Sequence, residues 1–234
     1  MDEFATMSFQ PTPTAMRPLL GLTILVVEDS RYACDALRLM CLRSGARIRR
    51  ADSLTAARRH LEIYRPCVVL VDMGLPDGSG AELIAELSTR SPRIPVILAT
   101  SADDFSEPVA IAAGADGFLH KPHDSLAAFQ DGILSHMPPD RRPCGPRAVP
   151  DEDIAADRVS YRDDLAHVSE LLHRHPTRDV TAYAARFLSG IARQAHDDSL
   201  AMAASRLEKT GGDRAQITNI CALIDERIVQ TPAL

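Results

Sequence analysis

Between residues 22 and 136 the chain repeats one pattern: a short apolar run, a break containing Gly, Asp or Pro, then a segment with apolar residues every three or four positions. The runs lie at 22–27, 46–49, 67–71, 95–99 and 117–119, and the helical spacings lie near 31–43, 53–64, 80–89, 105–113 and 123–135. Runs that are apolar along their length suit strands covered on both faces, and crossover helices are how parallel strands connect. The pattern predicts an α/β doubly wound, five-stranded parallel sheet of the flavodoxin-like type.

The rest of the chain is arranged around that unit. Residues 1–20, with three prolines and no periodicity, read as a flexible leader. Residues 21–136 are the α/β domain. Five prolines between Met137 and Pro150 cannot continue a helix or a central strand, which marks 137–152 as a linker. Helical spacing returns at 153–175, 179–196, 199–208 and 214–229, so 153–230 reads as a small all-α bundle of helices joined by short turns.

Composition narrows the function classes. The formal charge is -6, split as -2 over residues 1–150 and -4 over 151–234. Neither half offers the positive face that phosphate backbones favour, so no nucleic-acid partner is expected. No apolar stretch approaches the ~20 residues of a membrane helix and no signal-peptide block opens the chain, which gives a cytoplasmic reading with no membrane partner. Cys34, Cys41, Cys67, Cys144 and Cys221 are scattered without CxxC spacing and indicate neither a disulfide framework nor a zinc site.

In sheets of this type ligands bind where the carboxyl ends of the strands converge. The first run ends in Glu28-Asp29, the third in Asp72 and the fourth in Thr100-Ser101, while the fifth is followed by Lys121-Pro122. Three carboxylates at one place repel one another unless a cation sits among them, and an all-oxygen site with room for waters suits magnesium, with Asp29 and Asp72 as the best direct ligands. A carboxylate then remains free to attack a phosphoryl group in line and form an aspartyl phosphate. Lys121 would pair with the nucleophile or a phosphoryl oxygen, and the Thr100 hydroxyl would bond another.

The segments ILVVEDS, VVLVDMGLPDGSG, VILAT and AAGADGFLHKP resemble the receiver domains of two-component response regulators, the CheY-like family, over about half the chain. The resemblance implies that Asp72 is the phosphoacceptor, that Glu28 and Asp29 form the acidic pair, and that Gly74 offers a backbone carbonyl to the metal. It implies that Lys121 precedes a cis-prone Pro122, that Thr100 is the switch hydroxyl and that Phe118 is the aromatic that rotates with it. Phe118 stands where tyrosine is commoner, and His123 replaces the frequent aromatic after Lys-Pro. Implied partners are a histidine kinase or a histidine phosphotransfer protein, with a homodimer through the fourth helix and fifth strand, or through the bundle, as a further expectation.

In the helical half, YAARFLSGIARQAHDDSLAMAASRLEK loosely resembles the active helix of histidine phosphotransfer domains. In that family the histidine is followed three positions later by lysine and four later by glycine. Gly190 fits the glycine, which places Arg186 at the histidine and Ser189 at the lysine. Arginine stays cationic and cannot relay a phosphoryl group, so the resemblance implies a pseudo-phosphotransfer module. The plainer alternative is a generic dimerisation bundle on which Arg186 is a solvated residue. His167, His173, His175 and His196 are other candidate phosphoryl carriers, and none has the expected spacing.

The leading expectation is a phosphorelay response regulator rather than a turnover enzyme, signalling through protein contacts of its helical half. One alternative is a magnesium-dependent aspartyl-phosphate hydrolase, for which Asp77 is a weak candidate general acid. Another is a transcription regulator whose helical half binds DNA, although no basic recognition helix is evident.

Overall fold

The computed structural model describes residues 11–103, 105–145, 154, 156–174, 177–211 and 213–230. Strands β1 (Thr23–Val27), β2 (Arg47–Ala51) and β3 (Val68–Asp72) are followed by the two-residue strands β4 (Gly74–Leu75) and β5 (Gly78–Ser79), then by β6 (Val96–Ser101) and β7 (Gly117–His120). The five longer strands form one parallel sheet in the order β2-β1-β3-β6-β7, and β4 pairs with β5 as a small hairpin directly after β3. Helices α1 (Arg31–Ser44), α2 (Leu54–Ile63), α3 (Gly80–Ser88) and α4 (Ser106–Ala113) make the crossovers, and α5 (Leu126–Leu134) follows the last strand.

Strand pleating sends alternate side chains to opposite faces, and each face has its own core. Ile24, Val26, Val68, Leu70, Val96 and Leu98 pack with Leu37 and Met40 of α1 and Phe129 and Ile133 of α5. Leu25, Val27, Val69, Val71, Ile97 and Ala99 pack with α2, α3 and α4 through Leu54, Leu83, Ile84 and Ala110. The run at 46–49 holds Arg47 and Arg49 and is the least apolar of the five, which has a cause: β2 is an edge strand that exposes Arg47, Arg49 and Arg50. Serine caps recur, with Ser30, Ser53, Ser79 and Ser125 accepting from backbone N–H groups of α1, α2, α3 and α5.

Several boundaries differ from the sequence expectations, among them the start of the first bundle helix, expected at 153 and found at Arg158. The leader is not free to its end, because Leu19 is fully buried in the first core and its N–H donates to Ser44 O at 2.9 Å. Helix α5 begins at Leu126 rather than near 123, because Ser125 caps it and His123 is drawn into the site. A 3-10 turn, Pro139–Arg141, occupies the start of the linker.

The helical half contains α6 (Arg158–Arg174), α7 (Arg178–Gln194), α8 (Asp198–Thr210) and α9 (Arg214–Gln230). Each packs on the next and α9 closes back on α6, around Leu165, Val168, Leu188, Ile191, Leu200, Leu207, Ile220 and Ile224. The bundle lies against the α/β domain, with α6 on α1 and α7 near α1 and the β4 loop. Ile154 reaches into the first core and donates its N–H to Asp124 O at 2.7 Å. No helix among the described residues is long and apolar enough to cross a membrane.

Candidate functional site

The carboxyl edge of the sheet brings the acidic set together. The parallel register sets Asp72 beside Thr100 and Thr100 beside Leu119, while β1 ends immediately before Glu28 and Asp29. Carboxylate oxygens of Glu28, Asp29 and Asp72 lie within 4.8 Å of one another. Lys121 Nζ sits 2.6 Å from Asp72 Oδ2 and 2.7 Å from Glu28 Oε2, on a side chain only 5% exposed. The peptide between Lys121 and Pro122 is cis. The Gly74 N–H donates to Asp72 Oδ1 at 3.1 Å. At Gly80, a Cβ would fall 2.1 Å from the Asp72 carbonyl oxygen, so the start of α3 approaches the end of β3 only because it has no side chain.

Burial, then the neighbouring Asp72 charge, raises the Glu28 carboxyl well above its usual range and pushes Asp29 up to about 7. Burial works against the Lys121 ammonium, but the charges of Asp72 and Glu28 outweigh it and hold the group firmly protonated. One ammonium thus answers two carboxylates and leaves the third repelled. Converging hard oxygen donors with an excess of negative charge fit a divalent cation such as magnesium.

Around this cluster the helical half supplies a second set of contacts. Tyr183 of α7 donates its hydroxyl to Asp29 Oδ2 at 2.6 Å. Asp164 of α6 accepts from Ser30 Oγ at 2.7 Å, Arg31 N at 3.2 Å and Tyr32 N at 3.1 Å, an N-cap for α1 delivered from another domain. Gln194 of α7 accepts from His123 N at 2.7 Å and donates to His123 O at 2.9 Å. The Arg193 guanidinium donates to Ala102 O. His123 Nε2 lies 2.9 Å from Thr100 Oγ1, inside a pocket whose burial, then the Lys121 charge, lowers the imidazole to about 3. A cavity of about 560 Å³ remains between the two halves, with Asp29, Asp72 and Lys121 on one wall and Arg186, Ser189 and Lys209 on the other.

Glu28, Asp29, Asp72, Gly74 and Lys121 therefore share one place, with Thr100 next to Asp72 in the sheet. Phe118 is half-buried, packed 4.8 Å from the His120 ring and against the second core. Arg186 is exposed and lines the cavity, and Gly190 beside it has open space where a Cβ would stand. His167 stacks edge-on to Phe187 at 6.1 Å, His173 Nδ1 faces Ser169 O at 2.7 Å, and His196 lies 3.4 Å from Asp124. None of these three lines the cavity, and His175 lies outside the described residues. Asp77 is not placed as a general acid. It accepts from Leu54 N, Thr55 N and Thr55 Oγ1, and those bonds, against the effect of burial, hold it below the usual carboxylate range. Sequence reasoning did not find Tyr183, Asp164 or Gln194, whose partners lie 154, 134 and 71 positions away.

Known proteins bear on part of the chain. The KDP operon transcriptional regulatory protein KdpE of Escherichia coli is 34% identical over 100 residues, 42% of this chain and 44% of that protein. Response regulator MprA of Mycobacterium sp. strain KMS is 31% identical over 144 residues, 60% of this chain and 62% of that protein. The chain thus spans less than two thirds of the length of either relative. A solved putative response regulator from Chloroflexus aurantiacus is 27% identical, with a TM-score of 0.41, over 43% of this chain and 85% of that one. The family model for the response regulator receiver domain matches residues 24–129 and ends before the helical half. With its five-stranded sheet, residues 24–129 of this chain are a response regulator receiver domain.

Proposed function

We propose that the chain is a phosphorelay response regulator that accepts a phosphoryl group on Asp72 and signals through protein contacts of α6 to α9. The observation that supports it best is the juxtaposition of Asp29, Asp72 and Lys121 at the carboxyl edge of the sheet, within the matched segment. A carboxylate oxygen of Asp72 attacks phosphorus in line, the new P–O bond forms as the bond to the donor's leaving group breaks, and that group departs with the bonding electron pair. In this reading Lys121 would stay with the phosphoryl oxygens as the acyl phosphate forms, and the Thr100 hydroxyl would bond one of them. Magnesium, held by Asp29, Asp72 and the Gly74 carbonyl, would supply positive charge to those oxygens. Phe118 would follow Thr100. The donors in this reading are a histidine kinase or a histidine phosphotransfer protein in the cytoplasm, and Arg186 at the pseudo-phosphotransfer position presents a fixed cation toward the same cavity.

Intact mass after incubation with acetyl phosphate and magnesium tests the reading. Wild type gains one phosphoryl group and Asp72→Ala gains none; no gain in wild type overturns it. A DNA-binding output is the second reading, favoured by relatives named as transcriptional regulatory proteins. The -4 charge of residues 151–234 weighs against it, and tight duplex binding by the full chain at low salt would put it first.

A further inference from the structure

The contacts that join the two halves concentrate on the phosphoacceptor edge. Tyr183 holds Asp29 itself, and Asp164 holds the three residues that follow it. Arg193 engages the loop after β6, and Gln194 clamps the backbone of the loop after β7 through both of its amide atoms. The clamped residue, His123, is the one whose ring meets the Thr100 hydroxyl. The loops after β1, β6 and β7, three of those that surround Asp72, are thus tied to α6 or α7.

On the reading that Asp72 accepts a phosphoryl group, we propose that α6 and α7 form a built-in lid over the site. The lid competes with a divalent cation for Asp29 and loosens when Thr100 leaves His123 for the phosphoryl group. Tyr183 fills a lone-pair position on Asp29 Oδ2 that a cation or its bound water would take. Two ligands that exclude each other weaken one another by the same factor, so the bundle's hold on Asp29 and the cation's hold on Asp29 are one coupling. The second connection runs through Thr100, His123 and Gln194. His123 is 5% exposed and its ring nitrogen is hydrogen-bonded to Thr100. Withdrawal of that hydroxyl leaves a buried polar atom without its partner, a state that favours movement of the loop carrying the Gln194 clamp. Arg186 and Lys209 on the far wall of the cavity give the proposal its opposite: a lid that completes the phosphoryl site and tightens on it.

Calorimetric titration of magnesium into the full chain, without a phosphoryl donor, separates the two. Tyr183→Phe removes one charge-assisted hydrogen bond and should bind magnesium about tenfold more tightly than wild type. Gln194→Ala, which touches no carboxylate, should bind it a few-fold more tightly and gain the phosphoryl group from acetyl phosphate faster, with circular dichroism verifying that both variants fold. Affinity unchanged or weakened in the folded variants overturns the lid and leaves the phosphoacceptor reading standing. Absence of magnesium binding and of phosphoryl gain in all three proteins overturns that reading and the lid with it.

Discussion

The two halves of the chain bury polar groups in different ways. The receiver domain gathers Glu28, Asp72 and Lys121 at one edge of its sheet, where they answer one another, and pairs Thr100 with His123 beside them. The bundle also buries polar side chains, among them Asp164 and Gln194, but these two find their partners on the receiver domain. A buried polar group must be satisfied somewhere. For the acidic cluster that requirement is met within the receiver domain and makes a site, whereas for Asp164 and Gln194 it is met across the interface and makes a joint.

The largest test of this contrast is a cavity in the bundle. Leu188 is fully buried among Leu165, Leu200 and Ile220, and Leu188→Ala should cost about 2–5 kcal/mol. Because the joint is built largely of hydrogen bonds, the loss should fall on the bundle first. Native-state hydrogen exchange checks this: amides of α7 should lose protection while those of β3 keep theirs. Equal losses in both would show one cooperative unit and break the contrast.

The same difference explains what the sequence discloses. The receiver sheet was legible because its strands are apolar from end to end and its functional residues stand at strand ends, where position in the pattern is position in space. The edge exposure of β2 accounts for its blurred signal. The number and approximate limits of the bundle helices were legible from their spacing. The partners of Asp164 and Tyr183 were not, since an acidic or aromatic residue on a helix carries no mark of a contact made with a different domain. Gly190 invited an alignment that packing does not require, because nothing stands where its side chain would be. Leu19 was lost in a proline-rich segment although it seals the first core.

A smaller effect is expected at the joint itself. Asp164→Ala removes the acceptor for Ser30 Oγ and for two N–H groups in the first turn of α1, at a cost of about 1–3 kcal/mol. Since the cap comes from the bundle, the cost should register on the receiver domain. Amides in the first turn of α1 should exchange faster while those of α8 stay protected, whereas a loss confined to α6 would mean that the capping contact does not stabilise α1.

The smallest effect is a slope, and its sign follows from His123. Burial, then Lys121, places the folded imidazole near 3, well below its ordinary 6.5. Between those values the unfolded chain binds a proton that the folded chain does not, so the stability supplied by this group is complete above about 6.5 and drains away as the pH falls toward 3. One such proton is worth at most about 1.4 kcal/mol per pH unit. The carboxyls of Glu28 and Asp29, raised by burial and by Asp72, act in the opposite direction over an overlapping range, so wild type alone cannot isolate the histidine. The difference between wild type and His123→Asn, followed by urea unfolding from pH 7.5 to 5, isolates it. The wild type should lose stability on acidification relative to the variant. Parallel curves would mean that His123 takes up its proton in the fold as it does in the unfolded chain, and the neutral link from Thr100 to the bundle would fail with it.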